Sequence, residues 1–219
     1  MPLHPFVTGV YPILDSDTLH ARGCPVPAAA KALLTAGAEI LQYRHKEYWS
    51  RDIVAEAERV ADLCRQHRAL FIVNDRADYA KLLGAGLHLG QTDLPPSAAR
   101  NLLGPEAVIG YSTHNANQLA AAASEPVDYI ALGPIFGTLS KRNPDPVVGV
   151  GNLQVWRALV PQPLVAIGGI TRVNAPSAWH AGADTVAVIG DLFPAMCDPD
   201  SIRERMGEWL RLKRTQEQV

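Results

Sequence analysis

The sequence predicts a single-domain α/β protein, a closed (β/α)8 barrel of the TIM type. Three observations carry this expectation. Apolar, β-rich runs alternate with Ala/Leu-rich segments of helical periodicity along the chain, the pattern of parallel strands joined by helical crossovers. Eight such units divide 219 residues into about 27 residues each, which suits a compact barrel near the ~200-residue lower end of its size range. TAGAEILQYR, LGAGLHLG and HAGADTVAVIG each place a glycine behind a helical segment and an apolar strand directly after it, as a helix C-terminus turning into a strand requires. A doubly wound open sheet is the rival, but no GxGxxG follows an early strand and no break in composition divides the units.

Composition narrows the function classes. Apolar residues make up 47% and charged residues 19%, enough to fill a core and too few charges for a disordered chain. A net charge of -2 gives no general electrostatic reason to bind nucleic acid or membrane. The start, MPLHPFVTGVYPILD, lacks the basic and continuously apolar regions of a signal peptide, and no run approaches the ~20 residues of a membrane span. A cytoplasmic protein is the expectation. Cys24, Cys64 and Cys197 are odd in number and without CxxC spacing, so neither a disulfide frame nor a zinc site is expected.

The first strand is expected over Val7–Leu14, followed by a helix from near Val26. The second, Ile40–Lys46, carries Gln42, Arg44 and Lys46 at i, i+2 and i+4, which share one face. A buried barrel strand has little use for three such side chains, whereas a guanidinium fork and an ammonium both suit phosphate oxygens; a solvated edge or structural ion pairs is the bland alternative. After a helix from near Arg51, the third strand, Leu70–Asp75, runs abruptly into Asn74 and Asp75. A helix from near Asp78 leads to the fourth, Gly86–Gln91, which ends just before Asp93.

Barrel strands deliver their C-terminal ends to one mouth, where this fold places active sites. Asp75 and Asp93 end neighbouring strands there, and two carboxylates completed by water and diphosphate oxygens describe a magnesium site; helix capping by Asp75 and turn formation by Asp93 are the competing explanation. His88 alternates inside an apolar run and is expected to be packed or outward-facing rather than catalytic.

A helix from near Pro96 precedes the fifth strand, Val108–His114, which ends in Ser112, Thr113 and His114. A helix from near Asn115 leads to the sixth, Asp128–Phe136, whose following loop brings Thr138, Ser140 and Lys141. Hydroxyls and a cation on a loop shaped by glycine and proline suit a phosphate, though they are also ordinary loop residues. The seventh and eighth strands, Pro163–Gly169 and Thr185–Gly190, end in glycines, which let backbone N–H groups approach a phosphate closely. Helices are expected from near Asn152, Val173 and Leu192; the four tryptophans sit on or beside helices and should cover the barrel exterior. Two anion sites follow, a metal-assisted one near strands two to four and a backbone-built one near strands six to eight.

QYRHK, FIVNDRADYA, GLHLGQTDLP, YSTH, GPIFGTLSK, VAIGGIT and AGADTVAVI, in this order, resemble the thiamine phosphate synthase family from about Leu41 to Ile189. The resemblance implies a (β/α)8 barrel that joins hydroxymethylpyrimidine diphosphate to thiazole phosphate, carboxylated or not, and releases diphosphate. It further implies Mg2+ on Asp75 and Asp93, pyrimidine diphosphate held by Gln42, Arg44, Lys46, Asn74, Ser112 and Lys141, and thiazole phosphate held by Thr138, Ser140, Gly169, Ile189 and Gly190. Lys46, Arg44, Ser112 and Lys141 are then the catalytic candidates. The partners implied are these two small molecules, with a homo-oligomer compatible. The chain departs from the family pattern at Ser140, where a second threonine is commoner, at Gly190, where a serine is frequent, and over Arg142–Gly151.

Two other functions fit the same fold. A thiazole tautomerase would transfer a proton through a histidine such as His114 and need neither diphosphate nor magnesium. A non-catalytic barrel would bind thiazole or thiamine phosphate without turnover. A Schiff-base aldolase is disfavoured, since no strand carries a lysine inside an apolar run.

Overall fold

A computed structural model describes residues 9–138, 145–193, 195 and 198–216. Eight parallel strands, β1 (Gly9–Asp15), β2 (Ile40–Arg44), β3 (Leu70–Asn74), β4 (Gly86–Leu89), β5 (Ile109–Thr113), β6 (Tyr129–Leu132), β7 (Leu164–Ile167) and β8 (Thr185–Val188), pair in sequence order and close β8 onto β1. The (β/α)8 barrel is therefore the fold. Helices α1 (Ser16–Ala21), α2 (Val26–Thr35), α3 (Arg51–His67), α4 (Ala77–Leu83), α5 (Pro96–Leu103), α6 (Ala116–Ala122), α7 (Gly149–Trp156), α8 (Ala175–His180) and α9 (Pro199–Gln216) intervene or follow.

The strands are buried on both faces, and the period of two sorts their side chains into two cores. Tyr11, Ile13, Ile40, Ile72, Tyr129 and Val165 point into the barrel. Val10, Leu14, Leu41, Val73, Leu87 and Leu132 point outward into the layer between sheet and helices. In α3, Ala57, Val60, Ala61 and Cys64 recur at helical spacing and form its buried face. That helix starts at Ser50, whose hydroxyl accepts from the Ile53 N–H at 3.4 Å, and stops at Arg68 in a left-handed conformation. Gly84 ends α4 with φ 61, as the LGAGL pattern anticipated.

The structure corrects three element boundaries. A short helix, α1, precedes α2 because the Asp15 carboxylate accepts from Thr18 N–H at 2.9 Å and caps it. The last helix begins at Pro199 rather than near Leu192, since Leu192 and Phe193 are drawn into the core and Asp198 caps the later start through Ser201 N–H at 2.9 Å. β6 stops at Leu132 rather than Phe136, and the chain beyond it crosses to β7, where Ile135 and Phe136 N–H groups donate to the Ile167 and Gly168 carbonyls.

Trp179 and Trp209 pack edge to face outside the barrel, with ring centroids 6.3 Å apart. Cys24 and Cys64 are buried free thiols, and burial pushes Cys64 up to about 12; Cys197 lies outside the described residues. Among the described residues no helix is long and apolar enough to cross a membrane.

Candidate functional site

The strand ends open into one cavity of about 920 Å³. Gln42, Arg44, Lys46, Asn74, Asp75 and Asp93 line one side of it; Ser112, Thr138, Gly169, Ile189 and Gly190 line the rest. Ser140 and Lys141 lie outside the described residues.

On the β2 side, the three polar side chains share the cavity but answer to different partners. Gln42 is buried and its Nε2 donates to Tyr11 Oη at 2.9 Å. Arg44 pairs with Asp15, a buried carboxylate on β1 that also accepts from the Thr18 N–H and hydroxyl. Lys46, two residues past the end of β2, places Nζ 2.5 Å from Asp75 Oδ2.

Asp75 holds an unusual backbone for a non-glycine residue, φ 63, while its N–H donates to the His88 carbonyl at 2.8 Å. This bend turns its carboxylate toward the mouth, and it does not cap α4, whose N-terminus has no side-chain cap. Asp93 does close the turn after β4, its carboxylate accepting the Gly90 N–H at 2.7 Å, as the competing explanation had it. It also faces Asp75: burial, then the adjoining Asp75 carboxyl, hold its pKa above the usual carboxylate value, against the opposing pull of the Gly90 N–H. The Lys46 ammonium beside Asp75 offsets part of the repulsion between the facing carboxyl groups. They fit a hard divalent cation of the Mg2+ kind, which takes one or two protein carboxylates and fills its other positions with water and phosphate oxygens. Asn74, buried beside them and lining the cavity, has an Nδ2 with no hydrogen-bond partner.

On the floor of the cavity His88 is packed, one of the two placements expected for it, and not outward-facing. It points inward, because Leu87 and Leu89 on either side take the outer face. Its Nδ1 is hydrogen-bonded to Tyr129 Oη at 2.9 Å and its Nε2 to Ser112 Oγ at 2.8 Å. Tyr129 Oη in turn meets Tyr11 Oη at 3.0 Å, so a polar chain runs from Gln42 through two phenols and His88 to Ser112. Burial raises both phenol pKa values, which keeps these hydroxyls neutral. A strand buried on both faces shows no polar–apolar alternation that tells inside from outside, so the direction of His88 was not readable from the sequence and these tyrosines did not stand out. Asp15 was missed for another reason: its partner Arg44 is 29 residues away.

Across the cavity, His114 holds the Gly133 carbonyl through Nδ1 at 2.6 Å and lies 3.5 Å from Asp145. The glycines after β7 are demanded by geometry. Gly168 and Gly169 have φ 95 and 64, and a Cβ on Gly169 would stand 2.3 Å from the Gly137 carbonyl oxygen. The loop after β6 thus packs directly on this turn, which leaves bare backbone facing the cavity. A Cβ on Gly190, by contrast, would meet nothing within 4 Å.

The family model for thiamine monophosphate synthase matches residues 10–192. A protein from Koribacter versatilis (strain Ellin345) named thiamine-phosphate synthase is 45% identical over 210 residues, covering 93% of this chain and 94% of that one. Another of that name, from Chlorobium phaeovibrioides, is 47% identical over 166 residues, covering 75% and 79%. The solved thiamine phosphate pyrophosphorylase from Pyrococcus furiosus superposes with a TM-score of 0.82 at 28% identity, covering 95% of this chain and 96% of that one. The chain belongs to the thiamine monophosphate synthase family.

Proposed function

We propose that the protein is a Mg2+-dependent transferase that joins the hydroxymethylpyrimidine group of its diphosphate to thiazole phosphate, or its carboxylated form, giving thiamine phosphate and diphosphate. The observation that carries this reading is the single cavity with two unlike ends, a facing carboxylate pair with cations beside it and a bare-backbone turn. The names of the relatives support it.

In this reading the bond between the pyrimidine methylene carbon and the diphosphate oxygen breaks first, its electron pair leaving with diphosphate. The thiazole nitrogen lone pair then forms the new C–N bond to the resonance-stabilised carbocation. No protein nucleophile is required. Asp75 and Asp93 would hold Mg2+, which supplies neutralisation of the leaving diphosphate when bound. Lys46 and Arg44 place positive charge where the leaving oxygens gather it, and Lys141 is assigned the same role. The unpartnered Asn74 amide is assigned to the pyrimidine substrate, and Ser112, held by His88, to the pyrimidine or the departing diphosphate. Backbone at Gly169, Ile189 and Gly190, with Thr138 and Ser140, orients the thiazole phosphate, so much of the acceleration comes from placing nucleophile against electrophile.

The test is to incubate purified protein with both substrates, with and without Mg2+, and to follow diphosphate and thiamine phosphate in the same samples. Product formed only with metal is expected. No product in either condition from folded protein overturns the synthase reading, and product without metal overturns the role given to the carboxylate pair.

A further inference from the structure

The end of the cavity assigned to the thiazole phosphate is short of charge. Gly169 and Gly190 supply backbone alone and Ile189 an apolar side chain. A phosphate monoester near neutral pH carries about −1.5 to −2, and taking such a dianion out of water against neutral amides alone is costly. Two cations approach this end from elements outside the strand termini. Arg22 follows α1 and Arg205 lies in α9, and both line the cavity together with Gly190 and Asp191.

Both guanidinium groups are held on the same short turn. Arg22 Nη1 donates to the Phe193 carbonyl, and Arg205 Nη1 donates to the Asp191 carbonyl at 3.1 Å. The turn itself is closed by the Leu192 N–H on the Ile189 carbonyl at 3.2 Å. Each arginine thus uses one N–H to fix its position and retains further donors of its planar fork. The carboxylate in this corner, Asp191, is held by Arg172 Nε at 2.8 Å, and Arg172 also pairs with Glu208. Among the described residues neither Arg22 nor Arg205 forms an ion pair with a carboxylate.

We propose that Arg22 and Arg205 form a guanidinium clamp for the phosphate of the nucleophilic substrate, and thereby set the preference for a phosphorylated nucleophile over its alcohol. The assignment rests on the reading under Proposed function. The backbone turn gives the phosphate directional donors, and the clamp gives it charge; Gly190, with open space above its α-carbon, leaves the oxygens room between the two.

The experiment compares wild-type protein with Arg22→Gln, Arg205→Gln and the conservative Arg22→Lys, at saturating pyrimidine diphosphate and Mg2+, on thiazole phosphate and on unphosphorylated thiazole alcohol. Each glutamine variant is expected to raise KM for thiazole phosphate by about 10-fold or more, the loss of a charged hydrogen bond, with KM for the pyrimidine substrate and kcat/KM for the alcohol unchanged. Arg22→Lys is expected to restore part of the affinity. If the arginines only fasten the turn, the variants lose thermal stability and lose phosphate and alcohol activity equally, which overturns the clamp. A calorimetric titration of thiazole phosphate into wild type and variants separates this inference from the reading it rests on. Without turnover in the wild type, binding weakened by the variants sustains the clamp although the synthase reading has failed; absence of binding, or binding the variants do not weaken, overturns the clamp.

Discussion

Arg44 is expected to serve both the fold and the chemistry, and the two contributions separate in a double-substitution cycle. Its guanidinium pairs with Asp15, and the two side chains are only 15% and 6% exposed. Arg44→Gln leaves the Asp15 carboxylate buried with its Thr18 hydrogen bonds but no counter-charge. Breaking a fully buried pair from one side costs about 3–5 kcal/mol; the residual exposure of Arg44 and the retained Thr18 bonds bring this nearer about 2–3 kcal/mol. At about 2–4 °C per kcal/mol for a chain of this size, Tm falls by about 4–12 °C. Adding Asp15→Asn removes the stranded charge while keeping an acceptor for Thr18, so most of the loss is expected to return, with a coupling energy of about 2 kcal/mol. Activity follows a different rule. If Arg44 meets the leaving diphosphate, kcat falls by about 100-fold in the single variant and stays low in the double variant, because the transition state has lost a positioned cation. The assays are thermal unfolding and diphosphate release on all four proteins. Failure of Asp15→Asn to restore stability refutes the ion-pair account, and recovery of activity in the double variant refutes the catalytic role of Arg44.

Three further outcomes are expected. Asp93→Asn abolishes Mg2+-dependent turnover yet stabilises the protein without divalent cations near neutral pH: burial and Asp75 raise the Asp93 pKa in the fold, so wild-type stability contributed by this proton is present at low pH and is lost as pH rises through the raised value. Tm against pH for both proteins should therefore diverge upward through that window, and a less stable variant at pH 7 contradicts the facing-carboxylate geometry. Asn74→Leu removes an unpartnered buried amide nitrogen, so its Tm holds or rises while KM for the pyrimidine substrate increases; a collapse in stability would mean that the amide serves the fold. Gly169→Ala places a Cβ 2.3 Å from the Gly137 carbonyl at φ 64 and should cost about 2–4 kcal/mol in unfolding measurements, whereas Gly190→Ala meets open space and should shift Tm little; equal effects would refute the packing described for the two turns.

Much of the site was legible because strand ends are local signals. Asn74-Asp75 after FIV, and Gln42, Arg44 and Lys46 at alternate positions, stand out against apolar runs whatever the chain does elsewhere, and the barrel rule then brings such ends to one mouth. The contacts of His88, Tyr11, Tyr129 and Asp15 were not legible. A histidine or tyrosine inside an apolar strand reads the same whether it faces the barrel interior or the helices, and an aspartate at the end of the first strand shows no partner within its own segment.

The unit repeat, the parallel barrel it builds, the polar residues at the strand ends and, through the ordered motifs, the family are all written in local stretches of the chain. Tertiary structure alone decided which of those residues meet. Tyr11 finds Tyr129 across 118 positions and Arg22 finds the Phe193 carbonyl across 171. Such contacts exist only once β8 closes onto β1. Pattern and propensity act over a few residues, whereas closure of a barrel sets the distance between side chains on different strands, and that distance governs which charges pair, which carboxyl groups face each other and which amide nitrogen is left without a hydrogen-bond partner.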